Sequence, residues 1–146
     1  MQLSTRGRYG LRAMVELSEN FDKGPMLLRK IAERQGLSVK YLHSLLAVLK
    51  SAGLVRSLRG AGGGYVLTRP PSQITVGEVV RVLEGSLALV GCVEDRNFCE
   101  RVDWCATRPI WVDLSETVER TLSGLTLADV VARVPVVKAT APMYHI

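Results

Sequence analysis

Uncharged runs are short in this chain. None exceeds nine residues, whereas a helix crossing a bilayer needs about 20 apolar residues, so a membrane span is excluded and a soluble protein is expected. The opening MQLSTRGRYGLRAM has neither the apolar core nor the small-residue cleavage site of a secretory signal, and the expected location is the cytoplasm. Aromatic residues make up only 5%, histidine occurs only as His43 and His145, and cysteine only as Cys92, Cys99 and Cys105. A thiol or metal enzyme would have to pair Cys99 with one of those two histidines as its base; no enzyme is expected. Internal repeats and low-complexity tracts are also missing. At 146 residues the chain forms one ordinary domain or two small lobes, which rules out a large multidomain enzyme. Its 47% hydrophobic and 23% charged residues are enough to bury a core and argue against disorder along most of the length.

The charge that is present lies unevenly. Residues 1–71 carry twelve Lys and Arg against four Asp and Glu, a net of +8, while residues 72–146 carry seven against ten, a net of −3. A cationic excess confined to one half suits a polyphosphate partner, because each neutralised phosphate releases condensed counterions. A solvated basic face would show the same imbalance, so the motifs must decide. Pro70-Pro71 closes the basic half, and two regions are expected, 1–71 and 72–146.

In the first region Tyr9, Ala13, Met14 and Leu17 recur at helical spacing from about Ser4 to Asn20, which predicts a first helix ended by Gly24-Pro25. A short second helix over about Leu28–Arg34 buries Leu28 and Ile31 before Gly36. Ser38 is a good N-cap for a third, whose stripe Leu42, Leu45, Leu46 and Leu49 runs up to Gly53. Two β-prone runs, Leu54–Leu58 and Tyr65–Leu67, then flank Arg59-Gly-Ala-Gly-Gly-Gly64, predicting a hairpin with a glycine-rich tip. Three helices followed by a hairpin is the layout of a winged helix-turn-helix, in which the third helix enters the major groove. The fold class expected is mainly α with a small β-hairpin wing. The glycine run is no nucleotide cradle: it lacks a Gly-Lys-Ser/Thr ending, Tyr65 stands where a dinucleotide fingerprint needs its last glycine, and a strand follows.

On the third helix, the face opposite the leucines presents Lys40, His43, Ser44, Ala47 and Lys50, with Tyr41 near its first turn. Ser38 and the free N–H groups at that helix start suit a phosphate oxygen, and Lys40, His43 and Ser44 can reach base edges. Tyr41 can hold a phosphate. Arg59, just before the glycines, can enter a narrow minor groove or grip a phosphate. Water-facing side chains and an exposed turn arginine are the plain alternatives; the surrounding motif favours DNA.

In the second region Thr75-Val-Gly-Glu78 is a capping box opening a fourth helix, stopped by Gly85. A polar loop from about Ser86 to Arg108 follows, too long for a mere connection. From Pro109, Trp111, Leu114, Val118, Leu122 and Leu125 repeat at three- and four-residue steps, the pattern of a long helix packed on another. Thr126-Leu-Ala-Asp129 resembles one more helix start, which Pro135 is expected to end. Within the loop, the C-x6-C-x5-C spacing of Cys92, Cys99 and Cys105 allows three thiolates to converge, as iron–sulfur clusters require. Structural zinc lacks its usual close Cys pairs, a disulfide would strand one cysteine, and unliganded thiols stay open.

Together MQLSTRGRYGLRAM, IAERQGLSVKYL, AGLVRSLRGAGGGYVL, ITVGEVVRVLEG and TLADV resemble the Rrf2 family of bacterial transcription regulators, from Met1 to about Val131. The resemblance implies a homodimer paired through the long second-region helix and bound to a roughly palindromic operator, and a repressor is expected. It implies DNA contact by Ser38, Lys40, Tyr41, His43, Ser44 and Arg59, with Thr5 and Arg6 near the phosphates. In IscR-type members three loop cysteines, matching Cys92, Cys99 and Cys105, hold an iron–sulfur cluster, expected as 2Fe-2S with 4Fe-4S left open. Those members often add a histidine where this chain has Arg108, which cannot be a ligand; nitric-oxide-sensing relatives use a first-helix acid where this chain has Arg8. Glu94, Asp95, Glu100, Asp103, His145, an external thiol or a second subunit remain as fourth-ligand sources. His43 replaces a glutamate by which IscR-type members discriminate operators, and it carries no permanent negative charge. A CymR-type branch, cluster-free and controlled by a partner protein, is the alternative, supported by the tail Met143–Ile146.

Overall fold

A computed structural model describes the backbone of residues 2–140 and side chains as far as Pro135; His145 and the tail Met143–Ile146 lie outside the described residues. Helix α1 (Thr5–Glu19) starts where the Ser4 hydroxyl accepts the Gly7 N–H, and buries Ala13, Met14 and Leu17 on one face. Helix α2 (Leu28–Gln35) buries Ile31 and Ala32 and closes on Gly36 in the left-handed conformation. Helix α3 (Val39–Ser51) is capped by Ser38 and sinks Leu42, Leu45, Leu46 and Leu49 to 1% exposure or less. Each such side chain contributes about 1.5–3 kcal/mol by leaving water, which fixes which face of α3 remains outside.

Strands β1 (Val55–Leu58) and β2 (Gly64–Leu67) pair antiparallel, from Val55 opposite Leu67 to Leu58 opposite Gly64. The wing is tied to the helices by a bridge in which Tyr65 N–H donates to the Met26 carbonyl (2.8 Å) and Met26 N–H to that of Tyr65 (3.0 Å). Gly64 makes this approach possible: its φ is +143°, and a Cβ there would lie 2.4 Å from the Met26 oxygen. Gly64 is therefore a structural requirement of the wing.

After a 3-10 turn (Pro71–Gln73), helix α4 (Val76–Glu84) begins with the Thr75 hydroxyl accepting the Glu78 N–H. A one-turn helix α5 (Gly91–Glu94) and a second 3-10 turn (Arg96–Phe98) occupy part of the segment read as a loop. Helix α6 (Arg108–Ser123) follows, and Leu125, the last member of the apolar repeat, falls beyond its end. Helix α7 (Leu127–Thr140) is opened by a reciprocal cap in which Asp129 accepts from Thr126 and the Asp129 N–H donates back to the Thr126 hydroxyl. Pro135 does not end this helix as expected but lies inside it. Proline removes one backbone hydrogen bond and crowds the preceding turn, yet its fixed φ is itself helical, so residues beyond it can continue.

The core is continuous. Ala13, Met14 and Leu17 of α1 pack with Ile74, Val79, Leu83 and Leu127 from beyond Pro71 as well as with the leucines of α3. A further bridge, Val76 N–H to the Leu125 carbonyl (2.8 Å) and Leu127 N–H to that of Ile74 (2.9 Å), joins the starts of α4 and α7. Among the described residues no helix is long and apolar enough to cross a membrane.

Candidate nucleic-acid interface and thiol segment

Burial of the α3 leucines leaves Lys40, His43, Ser44, Ala47 and Lys50 exposed on the outer face, with Tyr41 half-buried beside them. The Ser38 hydroxyl accepts the Tyr41 N–H (3.1 Å), which leaves its own proton free to donate. Beside it the first N–H groups of α3, those of Val39 and Lys40, have no partner within the helix, and the three donors suit a phosphate oxygen. Ser44 is committed differently: its hydroxyl donates to the Tyr41 carbonyl (2.6 Å), so it faces outward as an acceptor. Lys50, at the far end, donates to the Ser57 hydroxyl (2.8 Å) and braces α3 against the wing.

The first turn of α1 meets this surface. Tyr41 donates to the Thr5 hydroxyl (3.4 Å), and its ring stands edge-on to Tyr9 at 6.3 Å and 88°. Arg8 and Arg12 lie over the Tyr9 ring at 5.8 and 5.2 Å, a cation–π arrangement that keeps two cations near the same face. Thr5 and Arg6 are exposed. Thr5, Arg6, Ser38, Lys40, Tyr41, His43 and Ser44 are thereby brought together, and Arg59 stands apart, exposed at the wing turn. The sequence reading missed Tyr9 as a strut, having placed it in an apolar stripe; its flanking arginines at positions 8 and 12 were the available signal.

Behind α3, a polar clamp sets the turn of the motif. Glu16, 7% exposed, is ion-paired with Arg34 and accepts from Gln35 Nε2 (2.8 Å). Arg12 in turn donates to the Gln35 side-chain and main-chain oxygens, both at 2.9 Å. The clamp fixes the end of α2, from which Gly36 and Ser38 lead into α3.

The three cysteines are all free thiols and all half-buried. Arg108 donates from Nε to the Cys92 carbonyl (3.2 Å), tying the beginning of the thiol segment to its end. Cys105 lies 3.3 Å from the Thr107 hydroxyl. That hydrogen bond, then the N–H groups of Thr107 and Arg108, with a smaller contribution from Arg101, hold the Cys105 thiol below its ordinary range despite opposing desolvation. Among the described residues no three His, Cys, Asp or Glu side chains stand close enough to hold a metal ion. The donor set therefore suits a thiophilic cluster in type and in being free of disulfide bonds, but it is not gathered into a finished shell. Phe98 and Trp104, each directly before a cysteine, are 69% exposed.

On α6 the repeat Trp111, Leu114, Val118 and Leu122 is only partly covered by the rest of the chain: Trp111 is 37% and Leu114 45% exposed, and Val118 and Leu122 are half-buried. An open groove of about 990 Å³ runs beside it, lined by Leu3, Leu87, Leu89 and Val90 as well as Trp111, Val118 and Leu122.

A family model described as Rrf2, iron-dependent transcriptional regulator, matches residues 3–133. The chain belongs to the Rrf2 family. It is 40% identical over 131 residues to the HTH-type transcriptional regulator IscR of Klebsiella pneumoniae, covering 90% of this chain and 80% of that one. Among solved structures it is similar to CymR, the global cysteine regulator of B. subtilis, with a TM-score of 0.78 at 42% identity over 90% of this chain and 97% of the other. It is equally similar to T. potens IscR, with a TM-score of 0.76 at 41% identity over 99% and 94%. The protein is a winged-helix transcriptional regulator of that family, not an enzyme, and similarity alone ranks the IscR-named and CymR-named relatives together.

Proposed function

We propose that this Rrf2-family regulator is a cytoplasmic homodimer and repressor that grips a palindromic operator, and that an iron–sulfur cluster held by Cys92, Cys99 and Cys105 sets its affinity. Domain 1–71 is the DNA-binding unit; region 72–146 carries the thiols and the dimer helix. The single observation that carries the cluster reading is the set of three free, half-buried thiols between α4 and α6. When bound, a cluster would supply a charge and redox state sensitive to iron and oxidants.

The chain's own residues do the rest. Ser38, Thr5, Arg6 and Tyr41 hold phosphates, Lys40, His43 and Ser44 meet base edges, and Arg59 reaches the groove beside the wing. The exposed apolar repeat on α6 supports pairing with a second copy, because isolated chains rarely leave so large an apolar face in water. Gathering the thiols moves the segment between α4 and α6, and only a difference in operator affinity between the gathered and open states makes this a switch. Oxygen-free purification followed by absorption spectra and iron and sulfide assays tests the reading; a colourless protein without iron rejects it. The second reading, a cluster-free regulator governed by a partner protein, is favoured by the similarity to CymR, and it predicts that iron-free protein retains full regulation.

A further inference from the structure

We infer that Glu84 is a positioning residue for DNA binding, setting the first turn of α1 from the end of the thiol-bearing half of the chain. The inference rests on the DNA-binding reading of Thr5 and Arg6 given above, and not on the cluster. Glu84 closes α4; Gly85 and the thiol segment follow directly. Its Oε1 accepts three donors from the beginning of α1: the Ser4 N–H (3.0 Å), the Ser4 hydroxyl (2.5 Å) and the Gly7 N–H (3.0 Å). Thr5 and Arg6 lie between those donors, so the carboxylate fixes the backbone on either side of them.

Two features show that this contact is built in. The absence of a side chain at Gly7 leaves room for the carboxylate, since a Cβ there would sit 2.1 Å from Glu84 Oε1 and displace it. The neighbouring Gly10 admits Leu83 in the same way, a Cβ there lying 2.3 Å from Leu83 Cδ1. A negative group at a helix start also offsets the positive end of the helix dipole. The Gly7 N–H is shared with the Ser4 hydroxyl (3.2 Å), so without Glu84 the Ser4 cap remains but loses its anchor to α4, and a duplex would have to reorder the loosened first turn on binding.

The test uses full-length protein and a fluorescein-labelled duplex that the wild type has enriched from a random-sequence library. Glu84→Ala is expected to weaken binding by about five- to thirtyfold, but by less than about twofold when Thr5→Ala and Arg6→Ala are already present, because the contacts it positions are then gone. Gly7→Ala should weaken binding similarly by displacing the carboxylate, and added to Glu84→Ala it should cost nothing, since alanine is the better helix former. A purely structural role would lower Tm and give equal losses in both backgrounds; that result, or no loss at all, overturns the inference. If Glu84→Ala does not fold, Gly7→Ala, which displaces the carboxylate without removing it, takes its place in the same comparison. A wild type that enriches no duplex overturns the DNA-binding reading itself, whereas a binding wild type with additive variants overturns only the role of Glu84.

Discussion

Arg34→Ala tests how the helix-turn-helix turn is held. The Glu16 side chain is 9% exposed and that of Arg34 57%, so the pair lies between two limits: about 3–5 kcal/mol for breaking a buried pair and about 0–1 kcal/mol for an exposed one. Water reaches the guanidinium and screens it, and Glu16 retains its hydrogen bond from Gln35 at 2.8 Å. The expected cost is therefore about 1–2 kcal/mol, equivalent to a fall in Tm of about 2–8 °C for a chain of this size. Urea unfolding followed by circular dichroism gives the number. Most of the loss should come from leaving a carboxylate buried without its cation, so adding Glu16→Leu to Arg34→Ala should recover stability. If the double variant is less stable than Arg34→Ala alone, or if Arg34→Ala costs nothing, the reasoning about the buried carboxylate is refuted.

Arg59→Ala should weaken duplex binding by about 1–3 kcal/mol if the side chain reads a groove; fluorescence anisotropy showing unchanged affinity would remove it from the interface. Leu114→Asp puts a charge on the exposed repeat of α6 and should convert the proposed dimer to a folded monomer in sedimentation analysis, with unchanged sedimentation counting against pairing through α6. The Asp129 carboxyl is held below the usual carboxylate range, first by the Thr126 N–H and then by its hydroxyl. A group depressed on folding contributes above its unfolded pKa and loses that contribution as pH falls through the folded value. Acid should thus fray α7 only below the ordinary carboxylate range, and Asp129→Asn should flatten that limb of a helicity–pH curve; an identical acid limb would show that the cap does not matter.

Local patterns carried most of the architecture. Leucine spacing in α3, the Ser38 and Thr75 caps and the reciprocal Thr126–Asp129 cap are all signals confined to a few residues, and the structure places each as read. The outward face of α3 followed directly, because burial of Leu42, Leu45, Leu46 and Leu49 leaves Lys40, His43 and Ser44 nowhere else to point. Contacts between distant positions left no such mark. Glu84 meets Ser4 across 80 positions and Arg34 meets Glu16 across 18, and nothing periodic in the sequence links those residues. Pro135 misled because proline costs a helix one hydrogen bond without forbidding it, its fixed φ being itself helical, and α7 runs on past it. Gly7 and Gly10 carry the close contact of α1 with α4, a role visible only once Leu83 and Glu84 are in place.

The central claim is that the state of three sulfur atoms is felt at the DNA surface. Duplex affinity of one anaerobic preparation, measured before and after chelator removes iron and sulfide and with Cys105→Ala as the permanently stripped control, tests it most directly. The account predicts bound iron and sulfide at the outset, and stripped and Cys105→Ala proteins that remain dimeric and share one altered affinity. Equal affinity in all three samples would contradict it.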